Sequence, residues 1–222
     1  LARSDPRVDK MVPWMFAFFC AGLPSYDGTA VLLKAMGVPE DAKLESFRFR
    51  GEGWPGVAKA ITSDGTTYQM DYDTSWGKIL NRHIQFRCKV CPDGTGEFAD
   101  IAFADAWHID ADGVASFEEA AGRSLTVLRK SKAVALFDAA IAAGYLVSEP
   151  ADMDEIPAMQ PHQATRKGFV YPRLTAFKLA GHKLPSFKGL DLGWHTKRAS
   201  RRLQARNFIG AMRRLVQRRT EP

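Results

Sequence analysis

Apolar residues run almost unbroken through Val12-Pro-Trp-Met-Phe-Ala-Phe-Phe19, the pattern of a short, fully buried strand. Ser25 or Asp27 can cap a helix through Thr29-Ala-Val-Leu-Leu-Lys-Ala-Met36, which Gly37 would end. Glu45-Ser-Phe-Arg-Phe-Arg50 then alternates, with Phe47 and Phe49 on one face and Arg48 and Arg50 on the other, as a half-buried strand does. Short strands over 57–62 and 66–70 flank Asp64-Gly65, a strong hairpin signal. Tyr72 to Arg82 reads as helical. Asp100 to Trp107 reads as a buried strand ending in a polar turn, and Leu125–Leu128 as another strand. Residues 131–143 are periodic enough for a helix, with Gly144 past its end. The last helix, about 196–219, sets Ala205, Phe208, Ile209, Met212, Leu215 and Val216 on one face.

These elements predict an α/β (α+β) fold, a mixed sheet flanked by helices with a basic C-terminal helical tail. Residues 1–150 form the main domain, 151–195 a linker and irregular segment carrying Pro172 and Pro185, and 196–222 a basic amphipathic helix. The 222 residues suffice for one large domain with an appendage. An apolar fraction of 45% with 25% charged residues excludes a fibrous or disordered class. No apolar run reaches the roughly 18 residues of a membrane-span candidate.

Charge changes the picture more than composition does. Residues 160–222 carry 15 lysines and arginines against Asp191 and Glu221, a balance of +13, which leaves −7 for the rest of a chain whose net charge is +6. A basic tail on a mildly acidic body predicts an acidic protein or surface as a partner. The bland reading is a solvated helix with its apolar side docked.

Of the three cysteines, two stand in Arg87-Cys88-Lys-Val-Cys91-Pro92 and the third, Cys20, follows the apolar run. Thiols two residues apart can hold one metal ion or one edge of an iron–sulfur cluster. Spacing alone leaves three readings open: an iron–sulfur cluster, a zinc site completed by His83 or His108, or reduced thiols without metal. So few cysteines fit a reducing cytosol better than a disulfide framework.

Arg50-Gly51-Glu-Gly53-Trp54-Pro-Gly56 matches G-x-G-x-x-G, yet Pro55 and the hairpin that follows replace the helix a dinucleotide fingerprint requires. What remains is either a tight turn or a glycine backbone that approaches a flat ligand beside the Trp54 ring. Asp105 and Trp107, at a strand end, are positioned to contact a cofactor or simply to make a turn.

Four stretches in order, Phe19-Cys20-Ala-Gly22-Leu-Pro24-Ser25, Phe49–Gly56, Arg87–Asp93 and Ala99–Trp107, resemble the coenzyme F420 hydrogenase/dehydrogenase beta-subunit family in its C-terminal part. The resemblance covers roughly residues 12–150. It implies a cytoplasmic flavin-dependent oxidoreductase binding FAD and a [4Fe-4S] cluster, which couples hydride exchange with one-electron transfer to a partner redox subunit, ferredoxin or F420. By that resemblance Cys20, Cys88 and Cys91 would be three cluster ligands, with the fourth in an N-terminal part this chain lacks. Arg50, Gly51, Gly53, Trp54, Gly56, Asp105 and Trp107 would contribute to the flavin site. Ala104 stands where the family usually has Gly. A small-molecule substrate and a homo-oligomer complete the expected partners. No general acid stands out, so the catalytic residue is left unassigned. The alternative is a non-catalytic partner-binding or assembly module with a structural zinc or no metal.

Overall fold

The structure, a computed structural model, describes residues 5–187 and 189–220. Its elements are α1 (Pro6–Met11), β1 (Phe16–Phe18), α2 (Tyr26–Ala35), β2 (Leu44–Arg48), β3 (Ala58–Thr62), β4 (Thr67–Met70), α3 (Phe86–Lys89), β5 (Ile101–Asp105) and β6 (Ser124–Leu128). The helices α4 (Ser131–Ala142), α5 (Ile156–Met159), α6 (Pro161–Leu179), α7 (Leu192–Arg198) and α8 (Arg201–Thr220) complete it. Among the described residues no helix is long and apolar enough to cross a membrane.

The chain divides into two compact units. The first takes Leu1–Cys20, Asp93–Ser116 and Ala121–Pro161. Its mixed sheet has the order β1-β5-β6, with β1 parallel to β5 and β5 antiparallel to β6. Ala106, Leu125 and Met159 form a small core there, joined by Val127 and Ile156. A parallel pair cannot be closed by a hairpin, and Asp100 supplies the anchor instead. It is fully buried, accepts from the Met15 amide at 2.9 Å, and pairs with Lys132 at 3.1 Å and Lys130 at 3.4 Å.

The second unit takes Ala21–Pro92, Phe117–Ala120 and His162–Pro222. Its sheet is the antiparallel meander β2-β3-β4, whose inner face packs Ala58 with Leu32 of α2 and with Leu80. The predicted hairpin is present, with Gly65 at φ +85° and the Thr62 amide donating to Thr66. Ser25, not Asp27, caps α2 by accepting from the Gly28 amide. Residues Asp73–His83 are helical as expected, but as a wide π turn followed by a 3₁₀ turn. A second core joins Val90, Ala176, Phe177 and Ala211, bringing α6 and α8 onto the loop after α3.

Three expectations need correction. The 12–19 run is not a fully buried strand: β1 spans three residues at a sheet edge, and Phe16 and Phe18 are 56% and 71% exposed. An apolar run carries no information about whether a second layer covers it. The segment 151–195 is not irregular, because α6 occupies nineteen residues of it. Pro172 misleads there: its missing amide and bulky ring fall opposite Gly168, four residues earlier, and the turn survives. Lastly, the buried stripe of α8 runs through Phe208, Ala211, Met212 and Leu215, while Ile209 and Val216 stay about half exposed.

Candidate functional site

Cys88 lies in the single turn of α3, and Cys91 follows on a bend where its amide donates to the Cys88 carbonyl at 3.4 Å. The strand-like stretch 21–25 runs alongside, through Ser25 N–H to His83 O at 2.9 Å and Gln85 N–H to Leu23 O at 3.0 Å. That pairing lets the Leu23 amide donate to the Cys88 sulfur at 3.4 Å. Gly22 is required for the approach: it sits at φ +145°, and a Cβ there would fall 2.8 Å from the Ile84 side chain. A backbone amide aimed at a sulfur is the kind of surrounding hydrogen bond that orients a ligating thiol and tunes what it holds.

The loop is held from behind by the basic tail. Arg166 of α6 donates to the carbonyls of Cys91 (3.3 Å), Cys88 (3.2 Å) and Ala21 (3.5 Å). Seven residues on, Arg173 donates to the Lys89 carbonyl at 3.2 Å and is gripped by the Asn207 amide oxygen of α8. Burial pushes the Arg173 guanidinium down from its ordinary value, and the nearby charges of Arg214 and Arg166 add to the effect. A guanidinium offers several donors in one rigid planar fork, a geometry that a lysine's compact ammonium does not share.

Cys20 belongs to the first unit, two residues past β1, with its amide bonded to Gly94 O at 2.8 Å. All three thiols are half-buried and free of disulfides. Among the described residues no three His, Cys, Asp or Glu side chains gather as a metal-holding group. A tetrahedral metal or a cubane cluster takes four ligands, of which Cys88 and Cys91, three residues apart in the second unit, could supply two. The two histidines weighed for zinc make other contacts: His108 Nε2 lies 3.5 Å from Ala121 O, and His83 packs where a Gly28 Cβ would be, 2.4 Å from its own Cβ.

The Arg50–Gly56 loop is a ring of backbone closed by a Gly51–Gly56 bridge, with Gly51 at φ +133°, Gly53 at φ +149° and Gly56 at φ +69°. No helix follows it, since β3 begins at Ala58, so a dinucleotide fingerprint is excluded by context as the sequence indicated. The amides of Trp54 and Gly56 both donate to the Glu119 carboxylate, Gly56 to Oε2 at 3.1 Å. These two amides thus form an anion cradle, filled here by a carboxylate of the chain itself. Arg50 donates to Pro55 O at 3.2 Å and lies 5.4 Å over the Tyr72 ring. Glu52 at the tip pairs with Arg48 and with Lys59 at 2.8 Å, which pull its carboxyl down to about 2.

Asp105 closes β5, its carbonyl accepting from Gln160 at 2.6 Å. Trp107 is buried at 6% exposure, and its carbonyl accepts from Arg123 at 3.5 Å. Both lie in the first unit, whereas Arg50–Gly56 lies in the second. Sequence reasoning missed Arg166, Arg173 and Glu119. The first two would have stood out as an i, i+7 pair had 161–179 been read as a helix; Glu119 gave no local signal.

The model for the C terminus of the coenzyme F420 hydrogenase/dehydrogenase beta subunit matches residues 1–154. The chain belongs to that family. The match includes all three cysteines, the glycine loop and both sheets, and stops before α5, so Arg166, Arg173 and α8 lie outside it. No curated protein matches the chain. A solved chain of the F420-reducing [NiFe] hydrogenase complex from Methanosarcina barkeri is similar at 14% identity and a TM-score of 0.36, over 74% of this chain. This family member spans 57% of the length of that chain.

Proposed function

We propose that this family member works in a flavin-dependent iron–sulfur oxidoreductase. The observation that carries the reading is the Cys88–Cys91 loop, whose first sulfur receives the Leu23 amide and whose backbone is fixed by Arg166. Membership of a family of F420 hydrogenase/dehydrogenase beta subunits supports redox work at this loop. Cys88 and Cys91 would hold one edge of a [4Fe-4S] cluster. Bound FAD would supply hydride exchange and the cluster single-electron transfer, toward a partner redox subunit, ferredoxin or F420.

The residues of this chain have four jobs in that scheme. Gly22 brings the Leu23 amide to sulfur. Arg166 fixes the backbone carbonyls of Cys88 and Cys91 and brings a positive charge to the loop. Trp54 and Gly56 offer amides to an anion such as the flavin's diphosphate, once Glu119 leaves them. Arg50 adds a cation on the same loop.

The test is anaerobic purification of the full-length protein, with iron, acid-labile sulfide and flavin assayed together. We expect iron and sulfide in cluster stoichiometry with bound flavin, and a broad visible absorption that dithionite bleaches. Cys88→Ser should remove the cluster absorption and leave the flavin. A colourless protein with stoichiometric zinc would overturn the redox reading in favour of a structural site, and a metal-free, flavin-free one in favour of a binding module.

A further inference from the structure

Beyond the redox loop, α3, α6 and α8 enclose a cavity of about 500 Å³, within the range of small-molecule sites. It lies wholly in the second unit and, apart from α3, is built by tail helices outside the family match. Its apolar wall is aromatic. Phe86 and Phe177 meet edge-to-face with ring centroids 4.4 Å apart, and His182 lies 5.7 Å from Phe177 and 6.0 Å from Phe86. Gly181, at φ +84°, ends α6 and turns the chain back so that the His182 amide donates to Phe177 O at 3.0 Å.

The polar part of the wall is cationic. Lys89 and Arg214 line it, and no carboxylate does. Arg214 makes no hydrogen bond or ion pair among the described residues, although packing in the wall desolvates its guanidinium enough to push its pKa down. Arg173 stands close enough to repel it. Two lining cations with a third behind them suit a dianion better than a single carboxylate. A phosphate monoester carries about −1.5 to −2 charges at neutral pH and accepts the planar guanidinium fork.

We propose that this cavity binds a flat organic phosphate of the mononucleotide class, its ring against Phe86, Phe177 and His182 and its phosphate on Arg214 and Lys89. The inference does not depend on the redox reading, since it uses neither thiol nor the glycine loop. A flat ring gains from the aromatic wall while the phosphate gains from the cations, so neither half of the ligand should bind as well alone.

The test is calorimetric titration of the full chain at physiological salt with AMP, adenosine and inorganic phosphate. AMP should bind at least about tenfold tighter than either fragment, and Arg214→Ala should weaken AMP by about tenfold, the loss of one charge-assisted contact. Lys89→Ala, a second variant on a different element, should weaken it in the same direction. Arg213→Ala, on the same helix but not on the cavity wall, should leave it unchanged. Phosphate binding as tightly as AMP would refute the aromatic half of the proposal. Equal losses in Arg213→Ala and Arg214→Ala would reduce the site to diffuse attraction by the tail, and so would AMP affinity untouched by Arg214→Ala. Unfolding curves of each variant separate lost binding from lost fold.

Discussion

The Arg166 guanidinium donates at 3.2 Å to the backbone carbonyl of Cys88, and the same side chain reaches Cys91 at 3.3 Å. One side chain from the basic tail thus holds both ends of the thiol pair. The +13 balance of residues 160–222 is not only a solvated face, because part of it donates to the backbone carbonyls of Cys88 and Cys91.

Replacing Arg166 should therefore loosen the loop. Arg166→Ala is expected to cost about 2 kcal/mol, typical of charged hydrogen bonds lost from a partly buried site. It should also speed the reaction of Cys88 and Cys91 with a thiol reagent. Arg166→Lys should fall near the alanine variant, since an ammonium cannot span three carbonyls in the fork geometry. Unchanged thiol reactivity in both variants would show that the loop keeps its shape by itself.

Glu119 offers a second handle. Its carboxylate fills the cradle made by the Trp54 and Gly56 amides. Removing it in Glu119→Ala leaves the buried Gly56 amide without that acceptor, at a cost of about 1–3 kcal/mol. It also opens the cradle to another anion. Inorganic pyrophosphate should then raise the melting temperature of Glu119→Ala more than that of the parent chain. Equal stabilisation of the two would mean that the cradle serves only to hold the 117–120 strap.

The fold was readable where local chemistry and periodicity agreed. Asp64-Gly65 gave the hairpin, Gly144 ended α4, and Ser25 capped α2, because each acts within a few residues of its partner. The parts that needed long-range contact were not readable. Arg166 meets Cys91 across 75 positions and Glu119 meets Gly56 across 63, and neither residue type in isolation announces its partner. Pro172 shows a different failure. A breaker is a local cost, and the packing of Val170, Ala176 and Phe177 on either side outweighs it.

The loop tip should respond to acid. Glu52 is held at about 2 against an ordinary 4.5 by Arg48 and Lys59. The folded state then binds this proton less readily than the unfolded state, so the stabilisation is present above the ordinary value and is lost as pH falls toward 2. The melting-temperature difference between the parent chain and Glu52→Gln should be largest near neutrality and shrink steadily below pH 4.5. A difference that stays constant through that window would show that Arg48 and Lys59 do not act through the charge.

Asp100 links the sheet of the first unit to its cysteine. Its buried carboxylate holds the Met15 amide, its own amide donates to Met15 O at 2.7 Å, and two lysines compensate the charge. Met15 immediately precedes β1, whose sheet neighbour among the described residues is β5 alone, so this clasp fixes the edge strand that leads to Cys20. Asp100→Ala removes the acceptor and the counter-charge together. Breaking a buried pair costs about 3–5 kcal/mol, and because Lys130 and Lys132 can turn to water the lower end applies, about 3 kcal/mol. Asp100→Asn keeps an oxygen for Met15 and should lose less. Beyond stability, release of β1 should raise the reactivity of Cys20 selectively, which labelling followed by peptide mass analysis can read against Cys88 and Cys91. Uniform acceleration of all three thiols would point to global unfolding and not to release of the edge strand.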